Sequence, residues 1–569
     1  MPWRLTFCSS LVALALAVAN AAHADSLAVI PPLPLPGPFA VQCNDLTQDF
    51  ARLAPGEDVQ TYWEGVPRSD GSGRYITDLL VNPAGVLGVT TTLPDDRELY
   101  GPYAQQSFVH TIAICAPTAA DNPRPDYPLP TGRVVPHMQR TGEAPIWPDP
   151  SGRYPILLFS AGLGGSPLSN DYINALAIFA SYGYVTVATF PGDARFADIR
   201  LEGFQDISYA IFHLEKFVAM QAIRPLALSA ALDLVLAHPD WRDHVDTAHI
   251  GGFGASLGGE SLLLLAGAQL TTTFGQSSKQ VIRDPRVIAA VGYVPYFGHS
   301  VLPAFGRSNA GVDSVTVPFL GIAGTADTTA PIDVTTDGVR RLKGTRELVA
   351  LAGVDHGFDV PGTGDIFTWS LEFLAGHAED DRAARAQLSR MTRVAGGADD
   401  QVLIDYTAPS AAAAGERIVI EYYNGTLDHY FLTAEPAEAA MLDAGIVVPG
   451  WTRTGFDFKA WAEGSPQGLS ACRFFGTPGR GPNSHFYTVD ANECAIVKAN
   501  PGWSFEGLAF QVNEPVAADC PAAAMLVTRL YNNGKGGQAN HRYLTSRSAI
   551  ADMQGQGWII EGPVYCTPP

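Results

Sequence analysis

Residues 249–260 read His-Ile-Gly-Gly-Phe-Gly-Ala-Ser-Leu-Gly-Gly-Glu, and the pattern Gly254-Ala255-Ser256-Leu257-Gly258 inside them, G-x-S-x-G, decides how the rest of the chain is read. Residues 249–253 have the apolar text of a short strand, and residues 258–268 that of a helix. A serine between the two sits on a sharp strand-to-helix turn, where glycine neighbours avoid the Cβ clashes that such a turn creates. The helix also points its positive N-terminal end at the same place, which favours negative charge developing there. Gly252-x-Gly254 could open a dinucleotide-binding loop, but the third glycine of that fingerprint falls on Leu257, and the strand is not the first of its series. The spacing reads as a serine nucleophile at Ser256.

On either side of this motif, strand text and helix text alternate. Residues 156–160 form a continuous apolar run, as in a strand buried on both faces. A helix over 170–182 and a strand over 184–190 follow, then helical text over 204–237 that breaks at Pro225 and Pro239. Strands at 287–294, 317–323 and 347–352 and a last helix over 366–376 complete the series. Such alternation predicts an α/β fold with a doubly wound, mostly parallel sheet. Residues 39–150, punctuated by Gly and Pro, read as an N-terminal extension of that sheet, with short β-like runs such as 108–115 and irregular loops over 117–150.

A serine hydroxyl needs a base, and the base needs an acid to orient it. With the nucleophile on a strand-to-helix turn, the chain order is Ser, then Asp or Glu, then His. Asp327 follows the strand text at 317–323, and His356 follows that at 347–352, so both fall where loops gather at the carboxyl edge of a parallel sheet. Asp333 lies deeper in the next segment, and Asp355 is too near His356 in sequence to reach its ring comfortably. His299 precedes the acid, His377 lies past the last helix, and His213, His238, His244 and His249 all precede the nucleophile. Two backbone N–H groups should stabilise the oxyanion: that of Leu257, after the nucleophile, and that of Leu163, in the loop Ser160-Ala161-Gly162-Leu163-Gly164-Gly165-Ser166.

The stretches "YPILLFSAGLGGS", "FASYGYVTVATFPGD", "HIGGFGASLGGE", "FLGIAGTADTTAP" and "LAGVDHGFD" together resemble the secreted bacterial α/β-hydrolases near platelet-activating-factor acetylhydrolases, dienelactone hydrolases and cutinase-like polyesterases, over about residues 105–376. The resemblance implies an α/β-hydrolase fold, a triad of Ser256, Asp327 and His356, and Leu163 and Leu257 as oxyanion donors. Ala161 stands where many relatives carry His, which touches substrate preference rather than the triad. Dienelactone hydrolases usually carry Cys where this chain has Ser256, which disfavours their chemistry.

The chain has 569 residues, enough for at least two domains. A formal charge of −21 argues against nucleic acid and against an anionic membrane surface. Residues 1–24 read as a signal peptide: Arg4, an apolar run over 11–18 and Ala22-His23-Ala24 before Asp25. That run is too short to span a bilayer, so no transmembrane segment is expected, and the mature protein should be secreted or periplasmic. Beyond Cys8, six cysteines remain, an even number that suggests disulfides; Cys43–Cys115 is one plausible bridge, and the pairing among Cys472, Cys494, Cys520 and Cys566 stays open.

Pro-rich residues 25–38 make an extended lead-in to a catalytic domain over 25–394, and residues 395–415 read as a linker, from Gly396-Gly397, Asp399-Asp400 and the alanines at 411–414. Residues 416–569 hold a threefold repeat, with His429-Tyr-Phe, His485-Phe-Tyr and His541-Arg-Tyr recurring at intervals of 56 residues. Gly-Trp follows each, at Trp451, Trp503 and Trp558, and Glu506-Gly507 and Glu561-Gly562 follow the last two. This predicts a compact β-rich module in three repeats, resembling an aromatic-rich module of unknown role appended to secreted bacterial hydrolases. The tryptophans suit repeated core slots better than a sugar-stacking face.

The function expected is that of an exported, monomeric serine hydrolase cleaving carboxylic esters through an acyl-enzyme, with lipids, small esters and insoluble polyesters as substrate classes and no cofactor or metal. The alternatives are an acyl-peptidase, since the same triad cleaves amides, and a binding or adhesion protein with a vestigial hydrolase domain. Asp193 could line the pocket, though a structural loop role suits it better. Phe212, Phe217 and Met220 could face substrate from a cap or pack in the core.

Overall fold

A computed structural model of the protein describes residues 28–197, 212–299, 304–358, 364–408 and 412–569. The signal peptide expected over residues 1–24, and residues 204–211 of the expected cap, lie outside them. The chain forms two compact units: residues 31–380 with 394–404, and residues 28–30 and 381–393 with 405–569.

The first unit is built on a ten-stranded sheet. Its strands are β1 (Ala40–Cys43), β2 (Gly88–Thr92), β3 (Ser107–Thr118), β4 (Tyr154–Ser160), β5 (Val185–Thr189), β6 (Val245–Ala255), β7 (Ala289–Tyr293), β8 (Phe319–Gly324), β9 (Arg346–Leu351) and β10 (Asp400–Tyr406). The order is β10-β9-β8-β7-β6-β4-β5-β3-β1, with β2 on β3. From β9 to β5 every pairing is parallel, while β3 runs antiparallel to β5 and β1 antiparallel to β3. Cys43 and Cys115 lie opposite each other on β1 and β3 and form a disulfide. Helices α1 (Tyr172–Ser181), α2 (Leu214–Ala237), α3 (Leu257–Leu265), α4 (Ile332–Arg341) and α5 (Gly364–His377) connect or flank these strands.

The strand order has one feature that matters for a site. From β4 the chain goes to β5 on one side and then to β6 on the other, so the loops leaving β4 and β6 diverge and open a crevice at their carboxyl ends. The parallel strands are apolar on both faces, with Ile156, Leu157, Leu158, Val187, Ile250, Phe253, Val291 and Ile322 all buried, so burial on both sides fixes the sheet. Helix α2 is long and apolar enough to cross a membrane, but 72% of that window is buried in its unit, as in a core helix. Phe217 and Met220 belong to this core, whereas Phe212 is exposed.

Residues 395–415 do not form a linker throughout. Residues 400–406 are strand β10 beside β9, and the Asp400 carboxylate accepts hydrogen bonds from Trp369 Nε1 and Val394 N. The crossings between units fall instead near residues 380, 393 and 404, because helix α6 (Arg382–Arg390) and residues 391–393 of the strand Met391–Val394 belong to the second unit.

That second unit repeats one motif three times: a hairpin, a helix and a returning strand. The elements are β11 (Glu416–Asn424), β12 (His429–Thr433), α7 (Pro436–Ala444) and β13 (Trp451–Trp461); β14 (Leu469–Gly476), β15 (His485–Thr488), α8 (Ala491–Ala499) and β16 (Trp503–Val512); β17 (Met525–Tyr531), β18 (His541–Leu544), α9 (Arg547–Gly555) and β19 (Ile559–Thr567). In each repeat the first strand pairs antiparallel with the other two. Trp451, Trp503 and Trp558 each pack on a small apolar cluster of their own repeat. Disulfides Cys472–Cys494 and Cys520–Cys566 close repeats two and three. The three disulfides among the described residues are the chemistry of an oxidising compartment.

Candidate active site

Ser256 follows β6 and immediately precedes α3, with φ 52° and ψ −117°, a backbone conformation unusual for a residue with a Cβ. The turn needs glycine around it for steric reasons. A Cβ on Gly258 would overlap the Ser160 carbonyl at the end of β4, and one on Gly254 would overlap the Gly258 backbone. The turn is held to the sheet by Ser256 N–H donating to Tyr293 O at 2.8 Å and by Tyr296 N–H donating to Ser256 O at 3.1 Å. Strain of this kind persists only where its surroundings over-determine it.

The structure brings the three sequence-selected side chains into one hydrogen-bonded series. Ser256 Oγ lies 2.8 Å from His356 Nε2, and His356 Nδ1 lies 2.7 Å from Asp327 Oδ2. The other carboxylate oxygen of Asp327 accepts from the N–H groups of Thr329 (2.8 Å) and Ala330 (2.9 Å), which fixes the carboxylate plane. The Asp327 side chain is fully buried, while the His356 ring is 27% exposed and so can meet a bound molecule. Asp327 follows β8 and His356 follows β9, at the same sheet edge as Ser256. The Tyr293 hydroxyl donates to Gly357 O at 2.6 Å, and Phe358 packs on Tyr172 and Tyr293, so the histidine loop is anchored from two sides. The rival acids are placed elsewhere: Asp333 in the first turn of α4, and Asp355 accepting from Gly357 N within its own loop.

A cavity of about 660 Å³ opens over Ser256 and His356. Gly162 and Leu163 line it from the loop after β4, Tyr293 from the end of β7, and Val294 and Thr329 from the loops after β7 and β8. Gln60, Thr131 and Arg133 reach it from the N-terminal extension, and Asn170, Asp171 and Tyr172 from the start of α1. Arg133 and Asp171 form an ion pair there. Sequence reasoning missed this polar rim because its members belong to no motif of their own. Leu257 is the first residue of α3, where the N–H has no partner within the helix. Both proposed oxyanion donors thus belong to segments that border the cavity.

Behind these segments lies a buried polar layer. Asp193 does not line the cavity; it is 2% exposed and forms an ion pair with Arg224 of α2, also 2% exposed. Next to it, Gln221 Nε2 donates to Glu260 Oε1 at 2.7 Å, and burial pushes the Glu260 carboxyl up to about 8, against the pull of that hydrogen bond and of the Arg224 charge. The only sequence signal of this layer is a single arginine inside the apolar run 217–235. Among the described residues, no three His, Cys, Asp or Glu side chains gather as a metal would need.

Compared with known families, residues 418–568 match a domain of unknown function, DUF5648, which spans the three repeats. No curated protein matches the chain.

Proposed function

We propose that this chain is an exported serine hydrolase that cleaves carboxylic esters through an acyl-enzyme. The observation that carries this reading is the continuous series Ser256 Oγ, His356 Nε2, His356 Nδ1 and Asp327, with the serine on a strained turn at the floor of an open cavity. In this reading Ser256 Oγ attacks the ester carbonyl while His356 takes its proton. The buried Asp327 carboxylate holds the His356 ring in the tautomer that leaves Nε2 free to accept, and stabilises the imidazolium that forms. The tetrahedral oxyanion is met by the N–H groups of Leu257 and Leu163. His356 returns the proton to the departing alkoxide, leaving an acyl-serine; water, deprotonated by His356, then attacks the acyl carbon, and His356 passes that proton to Ser256 Oγ as the acid leaves. The fold that fits is the α/β-hydrolase fold, in which the nucleophile follows a central strand and the acid and base follow later ones. The three disulfides support export to the periplasm or beyond.

The test is turnover of p-nitrophenyl esters from acetate to palmitate by the full chain and by Ser256→Ala. Turnover by the wild type and its loss in the variant are expected, and no turnover on any chain length would sink the reading. A matched anilide separates esterase from peptidase: cleavage at a comparable kcat/KM would favour the peptidase.

A further inference from the structure

The loop that follows β4 is tied down by buried groups that the reaction itself does not use. Arg224 Nη1 donates to Ala161 O and Arg224 Nη2 to Gly162 O, both at 2.7 Å. The same guanidinium donates from Nε to Asp193 Oδ1 at 2.9 Å and from Nη2 to Asp193 Oδ2 at 2.7 Å. Asp193 Oδ2 in turn accepts from Gly164 N at 2.8 Å. One fork and one carboxylate therefore hold two consecutive carbonyls and the N–H two residues further on.

Peptide planarity gives this pattern a consequence for the site. The Gly162 carbonyl and the Leu163 N–H belong to one trans peptide unit and point in opposite directions. Drawing the Gly162 oxygen toward the buried Arg224 turns the Leu163 N–H the other way, toward the side where Gly162 and Leu163 line the cavity. The preceding unit shows the same logic at work: the Ala161 oxygen is held by Arg224, and the Gly162 N–H on its other side donates to the Tyr172 hydroxyl at 3.0 Å. Arginine suits this task because its planar fork meets several acceptors at fixed angles, whereas the lysine ammonium is a single point charge on a flexible stem.

We propose that Arg224 and Asp193 are positioning residues for transition-state stabilisation, fixing the peptide between Gly162 and Leu163 so that the Leu163 N–H is preset for the oxyanion. This rests on the ester-hydrolase reading above and adds to it a requirement in α2, remote from the serine. The main test is Arg224→Lys, which keeps the buried charge pair and removes the fork. The expected result is a fall in kcat of about 10- to 100-fold, reaching at most the lower end of the roughly 100- to 1,000-fold that one oxyanion donor supplies, with KM changed by less than about threefold. Inhibition by an alkyl boronic acid, whose tetrahedral adduct places an oxygen in the oxyanion site, should weaken in parallel with kcat. A purely structural role would lower the active fraction instead and leave the boronate affinity of the folded enzyme unchanged. If lysine prevents folding, Asp193→Asn, of equal size and planarity, is judged by the same criteria. A variant that keeps wild-type kcat and boronate affinity would overturn the proposal while leaving the esterase reading intact. A wild type without ester turnover would overturn both.

Discussion

In the unit that carries Ser256, the groups at the site occur once each and come from separate strand ends, with His356 standing 100 positions from the serine it meets. In the C-terminal unit the corresponding groups recur, and the repeats hold one another. The Tyr487 hydroxyl bonds both the N–H and the C=O of Leu432, tying repeat two to repeat one, and the Tyr543 hydroxyl does the same to the Tyr487 backbone, tying repeat three to repeat two. Ion pairs run in parallel, Glu438 of α7 to Arg473 and Glu493 of α8 to Arg529. The third link differs. Phe431 stands where Tyr487 and Tyr543 stand and has no hydroxyl, and repeat three meets repeat one through the buried pair Arg542–Glu421, beside a bond from Asn540 Nδ2 to Asp428 O. Single occurrence makes the first unit sensitive to chemistry at one atom, and repetition makes the second sensitive at the link where the repeat departs from itself.

The largest effect is expected where nothing is repeated. Asp327→Asn should leave the fold in place and lower kcat by about 10⁴-fold, because the amide favours the wrong His356 tautomer. Saturation kinetics on a short-chain ester check this, and a fall of less than tenfold would remove Asp327 from its assigned role. In the repeat unit, Arg542→Met leaves Glu421 buried without its partner and should cost about 3–5 kcal/mol. Tyr543→Phe removes one hydroxyl and leaves the Tyr487 N–H and C=O without that partner, at a cost of about 1–3 kcal/mol. Denaturant unfolding followed by hydrogen exchange in the repeat unit ranks the two. If Tyr543→Phe proved the more damaging, the ionic link would not be the critical closure.

The two units were legible in the sequence to different depths, for physical reasons. Ser256 carries a local mark, since the close approach of Gly258 to the Ser160 carbonyl excludes any side chain there and writes glycine into the motif. Asp327 and His356 follow from chain order, because a parallel sheet collects its loops at one edge. Arg224 carries no such mark: what it holds are main-chain atoms of residues more than 60 positions earlier, and backbone carbonyls have no signature in sequence. Strand β10 escapes notice because Gly396-Gly397 and Asp399 precede it and Asp400 opens it, and at the end of the sheet order it needs a partner on one side only. The threefold repeat is plain from the histidine spacing, but its closure is not, since Arg542–Glu421 replaces a tyrosine contact with a different chemistry at different positions.

The smallest expected effect separates the units by pH. In the first, Glu260 has its carboxyl raised from 4.5 to about 8 by burial, so the stability of its neutral form is fully present below about pH 4.5 and is lost as pH rises through about 8. In the second, burial lowers His429 and His541 from 6.5 to about 3, with the neighbouring His485 adding to the first and Arg529 to the second. Their stability is present above about pH 6.5 and is lost as pH falls toward 3. Other groups blur the contrast, since His110 in the first unit is also lowered to about 3 and Asp457 in the second is raised to about 6. Single substitutions isolate each contribution. Glu260→Gln mimics the neutral acid and keeps an acceptor for Gln221, so it should raise Tm by a few degrees at pH 9 and leave it nearly unchanged at pH 4.5. An equal shift at both pH values would mean that Glu260 acts through packing, and the alkaline sensitivity of the unit would have to lie elsewhere.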